Sequence, residues 1–314
     1  MQKIFMTNLY LIEKVAYLYY VKNFKQSEIA ENFNLDRSSI SRYLKQARNL
    51  GLISITFSGK NLEKLQLEQE LAEKYNLKVV HIIDTSSQPN HAKQTYFYQE
   101  AAHFVNSELG KQKTIGLSWG DTMTKLIAAL QIKRQLGAKV IPLVGGAGHS
   151  HLNHHVNELV YNLSQQIEGQ PYYIQAHAVE SDVAVKKKLE LDIAFEKIRE
   201  KWSTLDMVVT AIGSMNSWSQ WRQMLSKQDL EELMAFEAVG DICGRFFDRN
   251  GDELKTTVNR RTVAIPLDLL AKIPTVVTIL PSKKRLPALV ALLKKDYITH
   301  LVLDKAAALK LVEK

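Results

Sequence analysis

The 314-residue chain has one cysteine, Cys243, and no continuous apolar run long enough to cross a bilayer. A single cysteine cannot form a disulfide within the chain, and a membrane-spanning helix needs about 18 or more apolar residues in succession. The N-terminal residues also lack the charged, apolar and small-residue succession of a secretory signal. These absences predict a cytoplasmic protein that binds no membrane.

Residues with the spacing of a zinc site are also missing. The nearest candidates are the histidines His149, His151, His154 and His155, but no cysteine or second acidic ligand accompanies them at zinc spacing. An exposed loop that leads into a helix explains these histidines better. We therefore expect no metal and no cofactor.

Residues 26–48 have the apolar spacing of two short helices joined by a tight turn. Ile29, Ala30 and Phe33 share one side of the first helix. In the turn, residues 34–36, Asn tolerates unusual backbone angles, Leu fills the corner and Asp can cap the next helix. The second helix has a buried stripe of Ile40, Tyr43, Leu44 and Ala47. This pattern predicts a helix-turn-helix.

The opposite face of the second helix is polar and basic. The major groove of DNA admits one α-helix, and Arg, Lys, Asn and hydroxyl side chains read its base edges. We expect this face to read bases while its flanks hold phosphates. The predicted DNA-binding residues are Gln26, Arg37, Ser38, Ser39, Arg42, Lys45, Arg48 and Asn49. Taken alone, such a face is more often the solvated side of an amphipathic helix.

The neighbouring segments favour DNA binding. An amphipathic helix near residues 9–21 supplies a third wall for a small core, and residues 51–57 alternate like a short strand, which predicts a winged helix-turn-helix. The first 57 residues contain eight Lys or Arg against four Asp or Glu, so half of the formal net charge of +8 lies there. Such a patch attracts phosphates without choosing a sequence.

The rest of the chain alternates short apolar runs with amphipathic stretches. This alternation is typical of a parallel sheet covered by helices. We therefore predict an α/β protein with an N-terminal winged helix-turn-helix and a C-terminal parallel-sheet α/β domain. The expected boundaries are residues 1–58 for the DNA-binding domain, 59–76 for a linker helix and 77–314 for the second domain.

Glycine-rich turns follow three of the predicted strands, at residues 116–122, 145–148 and 213–215. Small ligands bind beyond the carboxyl ends of parallel strands, where helix N-termini present their amides. One such turn is usually only turn geometry. Three of them at one edge of a sheet predict a small-molecule site.

Six strings resemble the SorC-type bacterial sugar-operon regulators, and together they span essentially the whole chain. The most specific is AVGDICGRFFD at residues 238–248. The others are GLSWGDT at 116–122, IPLVGG at 141–146, HVNEL at 155–159, AIGSM at 211–215 and LVLDKAAA at 301–308. The tryptophan turn and the HVN string look closest to the sorbose-type branch.

This resemblance implies a second domain similar to sugar-phosphate isomerases, which binds a sugar or sugar-phosphate effector and changes binding to operator DNA. It also implies a homotetramer built as a dimer of dimers, with the second domain mediating assembly. Together with the strand-end turns, it gives an expected effector-binding set of Ser118, Trp119, Gly120, Asp121, Thr122, Gly145, Gly146, Gly213, Asp241, Arg245, Lys283 and Arg285.

Two pairs in this set leave alternatives open. Asp241 and Arg245 are four residues apart, so they could form a local ion pair or could both turn toward a ligand. Ser118 and Thr122 could contact the ligand or cap the helix that follows them.

Three departures from the family pattern bear on function. Val144 occupies the position of the Schiff-base lysine of a deoxyribose-phosphate-sensing branch, so a covalent imine is not expected. Pro281 removes an N–H from a loop where many members have Gly-Gly, although positive charge persists at Lys283 and Arg285. Lys25 replaces the usual capping Ser or Thr, so the first helix of the helix-turn-helix should be less well capped.

An enzyme is the alternative from another functional class. A sugar-phosphate isomerase or deaminase joined to a DNA-binding domain needs a positioned acid and base. Asp121 and Asp241 are candidates only by location, and neither has a partner His or Glu at the expected spacing. The favoured interpretation is a sequence-specific transcriptional regulator without catalytic residues.

Overall fold

The computed structural model describes residues 2–56, 58–59, 61–110, 112–132, 135–146, 156–214 and 221–314, with side chains from residue 9 onward. The chain divides into two compact units. The first comprises Met1–Leu62 and the second Glu63–Lys314.

The N-terminal unit is built from three helices: α1 Gln2–Tyr20, α2 Gln26–Phe33 and α3 Arg37–Asn49. Their facing apolar stripes form one core, as the 3.6-residue spacing predicts. The buried members of this core are Ile12, Val15, Ala16, Ile29, Ala30, Ile40, Leu44 and Ala47.

The turn between α2 and α3 forms for the reasons that the sequence suggested. Asn34 is left-handed, with φ of 54°, and Leu35 packs against the three-helix core. The Asp36 carboxylate accepts the backbone N–H of Ser39 at 2.7 Å. Hydrogen bonds from Ser38 and Ser39 lower the pKa of Asp36 to about 2, so the cap is charged at neutral pH.

The start of α2 is capped from one side only. Lys25 has no side-chain acceptor, and it makes no side-chain cap bond to the helix. Its own backbone N–H donates to the Glu28 carboxylate at 2.8 Å. One half of a capping box is therefore present, which agrees with the expectation of a weaker cap.

The prediction of a wing strand after α3 is wrong for the described residues. Residues 51–56 contain no strand, and Phe57 lies outside the described residues. Gly51 instead has φ of 71° and ends α3, and the N–H of Leu52 returns to the carbonyl of Ala47 at 3.0 Å. Ile53 then packs against the three-helix core. Alternation alone does not make a strand, because a strand needs a second strand to pair with.

The larger unit alternates strands and helices. Its strands are β1 Val79–Ile83, β2 Thr114–Leu117, β3 Lys139–Pro142, β4 Gln170–Pro171, β5 Met207–Ser214, β6 Gly240–Ile242, β7 Arg245–Phe247, β8 Thr275–Leu280 and β9 His300–Asp304. Its helices are α4 Leu62–Lys74, α5 Lys93–Leu109, α6 Asp121–Ala129, α7 Val156–Gln166, α8 Val183–Glu190, α9 Ile193–Trp202, α10 Trp221–Met224, α11 Lys227–Ala235, α12 Thr257–Arg261, α13 Leu267–Leu270, α14 Leu286–Leu292 and α15 Lys305–Val312. None of the helices in the described ranges is long and apolar enough to span a bilayer.

Seven strands form a parallel sheet in the order β1-β9-β8-β5-β2-β3-β4, and the antiparallel hairpin of β6 and β7 joins the carboxyl end of β5. Consecutive strand residues face opposite sides, so Val208 and Val209 belong to two different cores. Helices α5, α6 and α7 cover one face, while α4, α9, α14 and α15 cover the other. The predicted parallel α/β fold is confirmed.

Helix α4, expected as a linker, packs on the larger unit. Its Leu71 is fully buried, and its Glu68 carboxylate accepts the N–H of Ile82 on the edge strand β1 at 2.7 Å. The hydroxyl of Tyr75, just after α4, donates to the carbonyl of Leu311 at 3.0 Å. The helix therefore also covers an open sheet edge.

Replacing Ile40 with Ala should unfold much of the N-terminal unit and leave the larger unit folded. Ile40 is fully buried, and emptying such a site costs about 2–5 kcal/mol, a large part of the stability of a small domain. Calorimetry and limited proteolysis should show early loss of the N-terminal unit. Ile55→Ala makes the same change where the side chain is 65 % exposed. Equal behaviour of the two variants would contradict the three-helix core.

Candidate functional sites

One face of α3 is exposed, polar and basic. Arg42 lies near its middle, with its guanidinium 5.8 Å from the ring centroid of Tyr43. The exposed residues of this face are Arg37, Ser38, Ser41, Arg42, Lys45, Arg48 and Asn49. Ser41 was missed by the sequence analysis, although its helical position between Arg37 and Lys45 places it on the same face.

Ser39 was predicted to contact DNA, but it lies on the buried side of α3. It is 8 % exposed, and its hydroxyl donates to Asp36 at 2.9 Å and accepts from Arg42 Nη2 at 3.3 Å. Its part is to hold the cap and to orient Arg42. Gln26 is half-buried in the first turn of α2, and its predicted phosphate contact stays a prediction.

The junction of β2 and α6 forms the first wall of the second candidate site. Gly120 has φ of 110°, a conformation that side chains rarely adopt, and it begins α6 without a side-chain cap. Thr122 is buried in the first turn. Asp121 is half-exposed and pairs with Lys125 at 2.8 Å. Ser118 Oγ is buried and has no hydrogen-bond partner among the described residues.

Arg285 connects the carboxyl ends of two strands with the helix that follows a third. It follows β8, and its Nη1 donates to Thr122 Oγ1 and to the carbonyl of Ile212, each at 3.0 Å. No carboxylate of the described residues lies within ion-pair distance of it. Burial lowers the pKa of Arg285, while nearby Tyr98, Asp241 and Asp121 act in the opposite direction. Arginine stays charged in proteins, so within the described part of the chain this cation is held without a contacting anion.

Asp241 is the buried carboxylate of the site. It lies opposite Gly213 in the pairing of β5 with β6, and a Cβ on Gly213 would overlap its Oδ1. Trp221 Nε1 donates to the same oxygen at 2.9 Å. Burial raises the pKa of Asp241 to about 6, against the effects of the Trp221 and Gly244 hydrogen bonds and the charge of Arg285.

Arg245 is not part of this arrangement. Asp241 lies opposite Phe246 and Ile242 opposite Arg245, so Asp241 and Arg245 point to opposite faces of the hairpin. The guanidinium donates to the carbonyls of Asn259 at 3.0 Å, Ala264 at 2.6 Å and Ile265 at 3.4 Å, and it pairs with Glu253 at 3.4 Å. Both the local ion pair and the joint ligand contact expected for Asp241 and Arg245 are therefore wrong.

Gly145 and Gly146 also differ from expectation. Their N–H groups donate to the carbonyls of Val263 and Ala176, each at 2.8 Å, so they are not available to a ligand. A Cβ on Gly145 would overlap the carbonyl oxygen of His177. The glycines permit close packing of two chain segments. Residues 147–155, with the four candidate histidines, lie outside the described part of the chain.

Two site residues escaped the sequence analysis, Tyr98 and Trp221. Tyr98 comes from α5 and is buried; burial raises its pKa, while Thr122 and Arg285 act in the opposite direction. Trp221 comes from α10 and packs edge-on against Trp119, with ring centroids 5.2 Å apart. Neither residue lies in a strand-end turn, so no local spacing marks it. Trp119 itself is only 8 % exposed, and Lys283 is exposed.

The assembled site has chemically distinct ends. Thr122 and Arg285 provide donors beside the start of α6, where helix amides favour negative charge. Asp241, on whose pKa the charge of Arg285 acts, provides acceptors. The Ser118 hydroxyl, which has no partner among the described residues, follows the neighbouring strand. Such a site suits a small molecule that carries hydroxyls and an electron-rich oxygen group.

The larger unit matches a known family along its whole length. The model of the family described as "Putative sugar-binding domain" matches residues 60–313. The chain belongs to this family. The sorbitol operon regulator of Klebsiella pneumoniae is 27% identical and the match covers 95% of this chain and 96% of that protein.

A second relative and a solved structure extend the comparison. The deoxyribonucleoside regulator of Bacillus subtilis is also 27% identical, over 95% of this chain and 96% of the relative. The crystal structure of the full-length sorbitol operon regulator SorC from Klebsiella pneumoniae superposes with a TM-score of 0.74 at 26% identity, over 98% of this chain and 99% of that one.

These relatives confirm the resemblance to SorC-type regulators. Both proteins are named as regulators, so the sugar-binding domain here belongs to a transcriptional regulator and not to an enzyme. The isomerase alternative is thereby set aside. DNA and a sugar effector follow as partners of this class.

Asp241→Asn should change how stability depends on pH. In the folded protein the pKa of Asp241 is about 6, above the usual 3.8. The free energy of unfolding of the wild type should therefore fall as pH rises from about 4 to about 6, by up to about 3 kcal/mol. The asparagine variant should lack this loss. Thermal melts at pH 4.5 and 7.5 measure it, with the exposed Asp268→Asn as control. An identical pH dependence in wild type and Asp241→Asn would contradict the raised pKa.

Proposed function

We propose that this regulator controls a carbohydrate-utilisation operon and that a sugar or sugar phosphate bound by its larger unit changes its affinity for operator DNA. The exposed basic face of α3 is the observation that supports the DNA-binding part of this proposal. It exposes four cationic side chains, Arg37, Arg42, Lys45 and Arg48, while its opposite side is fixed in a core. A helix with one free basic face is the element that enters a major groove.

Within that face, the angular position of each residue around the helix axis supports separate roles. Ser38, Arg42, Lys45 and Asn49 share the centre and are the candidates for base contacts. Arg37 and Arg48 lie toward one side and are placed to hold phosphates. Residues 1–58 would then act as the DNA-binding domain.

The effector half rests on the donors and acceptors at the carboxyl edge of the sheet. Arg285 is a cation with two bonds from one nitrogen and no contacting carboxylate among the described residues. An anionic or strongly accepting oxygen of the effector would satisfy it, because charge-assisted hydrogen bonds are the strong ones. Asp241 is suited to accept sugar hydroxyls. Gly120, Asp121, Ser118 and Thr122 would complete the contacts.

Control requires that the effector prefer one state of the regulator, because a ligand without differential affinity shifts no equilibrium. We place this control in a cytoplasmic homotetramer, a dimer of dimers assembled through residues 77–314. Residues 59–76 would connect each DNA-binding domain to it. Such symmetry would match paired operator half-sites.

Arg42→Ala should weaken specific operator binding by about ten- to a hundredfold, the usual range for a base-reading arginine. Binding sites selected from a random DNA pool supply the operator for fluorescence anisotropy at fixed salt. Arg249→Ala removes an exposed arginine from the larger unit and should leave this affinity unchanged. Wild-type affinity of the Arg42 variant would remove that residue from base reading.

Arg285→Gln should abolish the effector response and leave DNA affinity without effector intact. The variant loses a charge-assisted contact, about a tenfold or greater loss of effector affinity. A thermal-shift screen with sugars and sugar phosphates identifies a responding compound, and anisotropy then measures its effect on operator binding. Lys284→Gln is the matched control, because it removes the charge of the exposed neighbouring residue. A full response in the Arg285 variant would contradict the site.

A further inference from the structure

The carboxylate of Asp36 binds the hydroxyl hydrogens of two serines at the start of α3. It accepts the Ser38 hydroxyl at 2.5 Å, the backbone N–H of Ser39 at 2.7 Å and the Ser39 hydroxyl at 2.9 Å. These hydrogen bonds lower the pKa of Asp36 to about 2, so the carboxylate is ionised at neutral pH and can only accept. A serine hydroxyl has a single hydrogen to donate. Asp36 therefore uses the hydrogens of both serines.

Both serine oxygens keep their capacity to accept. Ser39 lies on the buried side of α3, and its oxygen accepts from Arg42 Nη2 at 3.3 Å. Ser38 lies on the exposed side, and within the described part of the chain its hydroxyl is bonded to Asp36 alone. The Ser38 oxygen is therefore exposed as an acceptor that has no hydrogen left to give.

The cationic neighbours of Ser38 on the exposed face of α3 have the opposite property, because arginine and lysine only donate. The bond to Ser39 holds the Arg42 guanidinium one helical turn nearer to the start of α3. In a helix-turn-helix, the first residues of the second helix are the ones that contact base edges. The Ser38 acceptor and the Arg42 donors are therefore both held at the end of the helix that would face the bases.

The four bases separate acceptors from donors in the major groove. Adenine N6 and cytosine N4 are amino groups that donate, whereas guanine O6 and N7 and thymine O4 only accept. An oxygen without a free hydrogen can bond to adenine or cytosine. It leaves an acceptor of guanine or thymine without a partner, which costs binding free energy. Arg42 has the reverse preference, for guanine.

We propose that Ser38 is a specificity-determining residue that selects an operator base with an exocyclic amino group, adenine or cytosine. Asp36 is the positioning residue that makes the Ser38 hydroxyl an acceptor, in addition to capping α3. The inference rests on the proposed function, in which the exposed face of α3 reads bases. It adds the chemical class of base that one position of this face selects.

Ser38→Ala tests the selected base in the full-length protein. Sites selected from a random DNA pool by wild type and by the variant identify the base position whose preference depends on Ser38. At that position, purine replaces adenine, or 2-pyrimidinone replaces cytosine, so that only the amino group is removed. Wild type should lose about three- to tenfold in affinity, the effect of one hydrogen bond, measured by fluorescence anisotropy at fixed salt. Ser38→Ala should bind the two DNAs equally.

Ser41→Ala is the matched control for this measurement. Ser41 is an exposed serine on the same face of α3, but its hydroxyl is not bonded to Asp36. The Ser41→Ala variant should still lose affinity when the amino group is removed.

Asp36→Asn tests the positioning role. Asparagine caps helices as well as aspartate does, so the melting temperature should stay near wild type. Its amide NH₂ donates, which releases a serine hydrogen, and Ser38 can then donate to guanine or thymine. Discrimination against these two bases at the Ser38 position should fall about three- to tenfold. Glu31→Gln makes the same change of charge at an exposed residue of α2 and should keep the wild-type discrimination.

Three results would overturn the proposal. Equal loss of affinity for all sequences in Ser38→Ala would place Ser38 against a phosphate. Undiminished sensitivity of Ser38→Ala to removal of the amino group would assign that base to another residue. Wild-type discrimination in a folded Asp36→Asn would remove Asp36 from selection. The amino-group measurement decides the role of Ser38 whether or not Asp36→Asn folds.

Failure of the proposed function has a different outcome. If wild type selects no sequence from the random pool, sequence-specific DNA binding is contradicted, and the roles of Ser38 and Asp36 with it. If wild type selects a sequence and neither variant changes a base preference, only the roles of Ser38 and Asp36 are lost.

Discussion

The half-buried guanidinium of Arg285 is the constraint on which the larger unit's candidate site depends, because no carboxylate of the described residues contacts it. Arg285 bonds the last part of β5 through the Ile212 carbonyl and the first turn of α6 through Thr122. It follows β8, so one side chain connects the carboxyl ends of two strands with the helix after a third. Burying a cation is costly unless it is paired. The fold tolerates this cost at the place where an anionic ligand would remove it.

Asp241 has the complementary property. It is buried against Gly213 and held by Trp221, and its raised pKa means that its charged form is destabilised in the folded protein. Direct contact between Asp241 and a cation would relieve this, but Arg245, the nearest arginine in sequence, faces the other side of the hairpin. Among the described residues neither Asp241 nor Arg285 has an ion-pair partner. Both groups therefore remain available to a ligand, at the expense of stability.

Local patterns predicted most of the architecture. The spacing of apolar residues in α2 and α3, the left-handed Asn34 and the capping Asp36 depend on near neighbours, so the sequence was sufficient for the helix-turn-helix. Alternating strands and helices were likewise enough for the parallel sheet. The prediction of a wing strand failed because a strand needs a second strand to pair with. The alternation of residues 51–57 contains no information about such a partner.

The candidate site was harder to predict, because its contacts also depend on parts of the chain that are distant in sequence. Ser118 and Thr122 could be nominated because a strand-end turn and a family string mark them, and Arg285 because it keeps the positive charge of the loop in which the family pattern has a lysine. Tyr98 comes to the site from a helix with no marked position, and whether Asp241 and Arg245 share a face depends on strand register. Register changes the face of a residue with every single step. Such contacts require the tertiary structure.

The packing of α4 limits the routes by which a bound effector could influence the N-terminal unit. Because Glu68 bonds β1 and Tyr75 bonds the end of α15, α4 is fixed to the sheet and cannot act as a free hinge. Residues 50–56, which follow α3, contain no helix or strand. An effector bound at β2, β5 and β8 would act on α4 through β8, β9 and β1, which are neighbours in the sheet. A packed sheet transmits such strain well because its interior has little free volume.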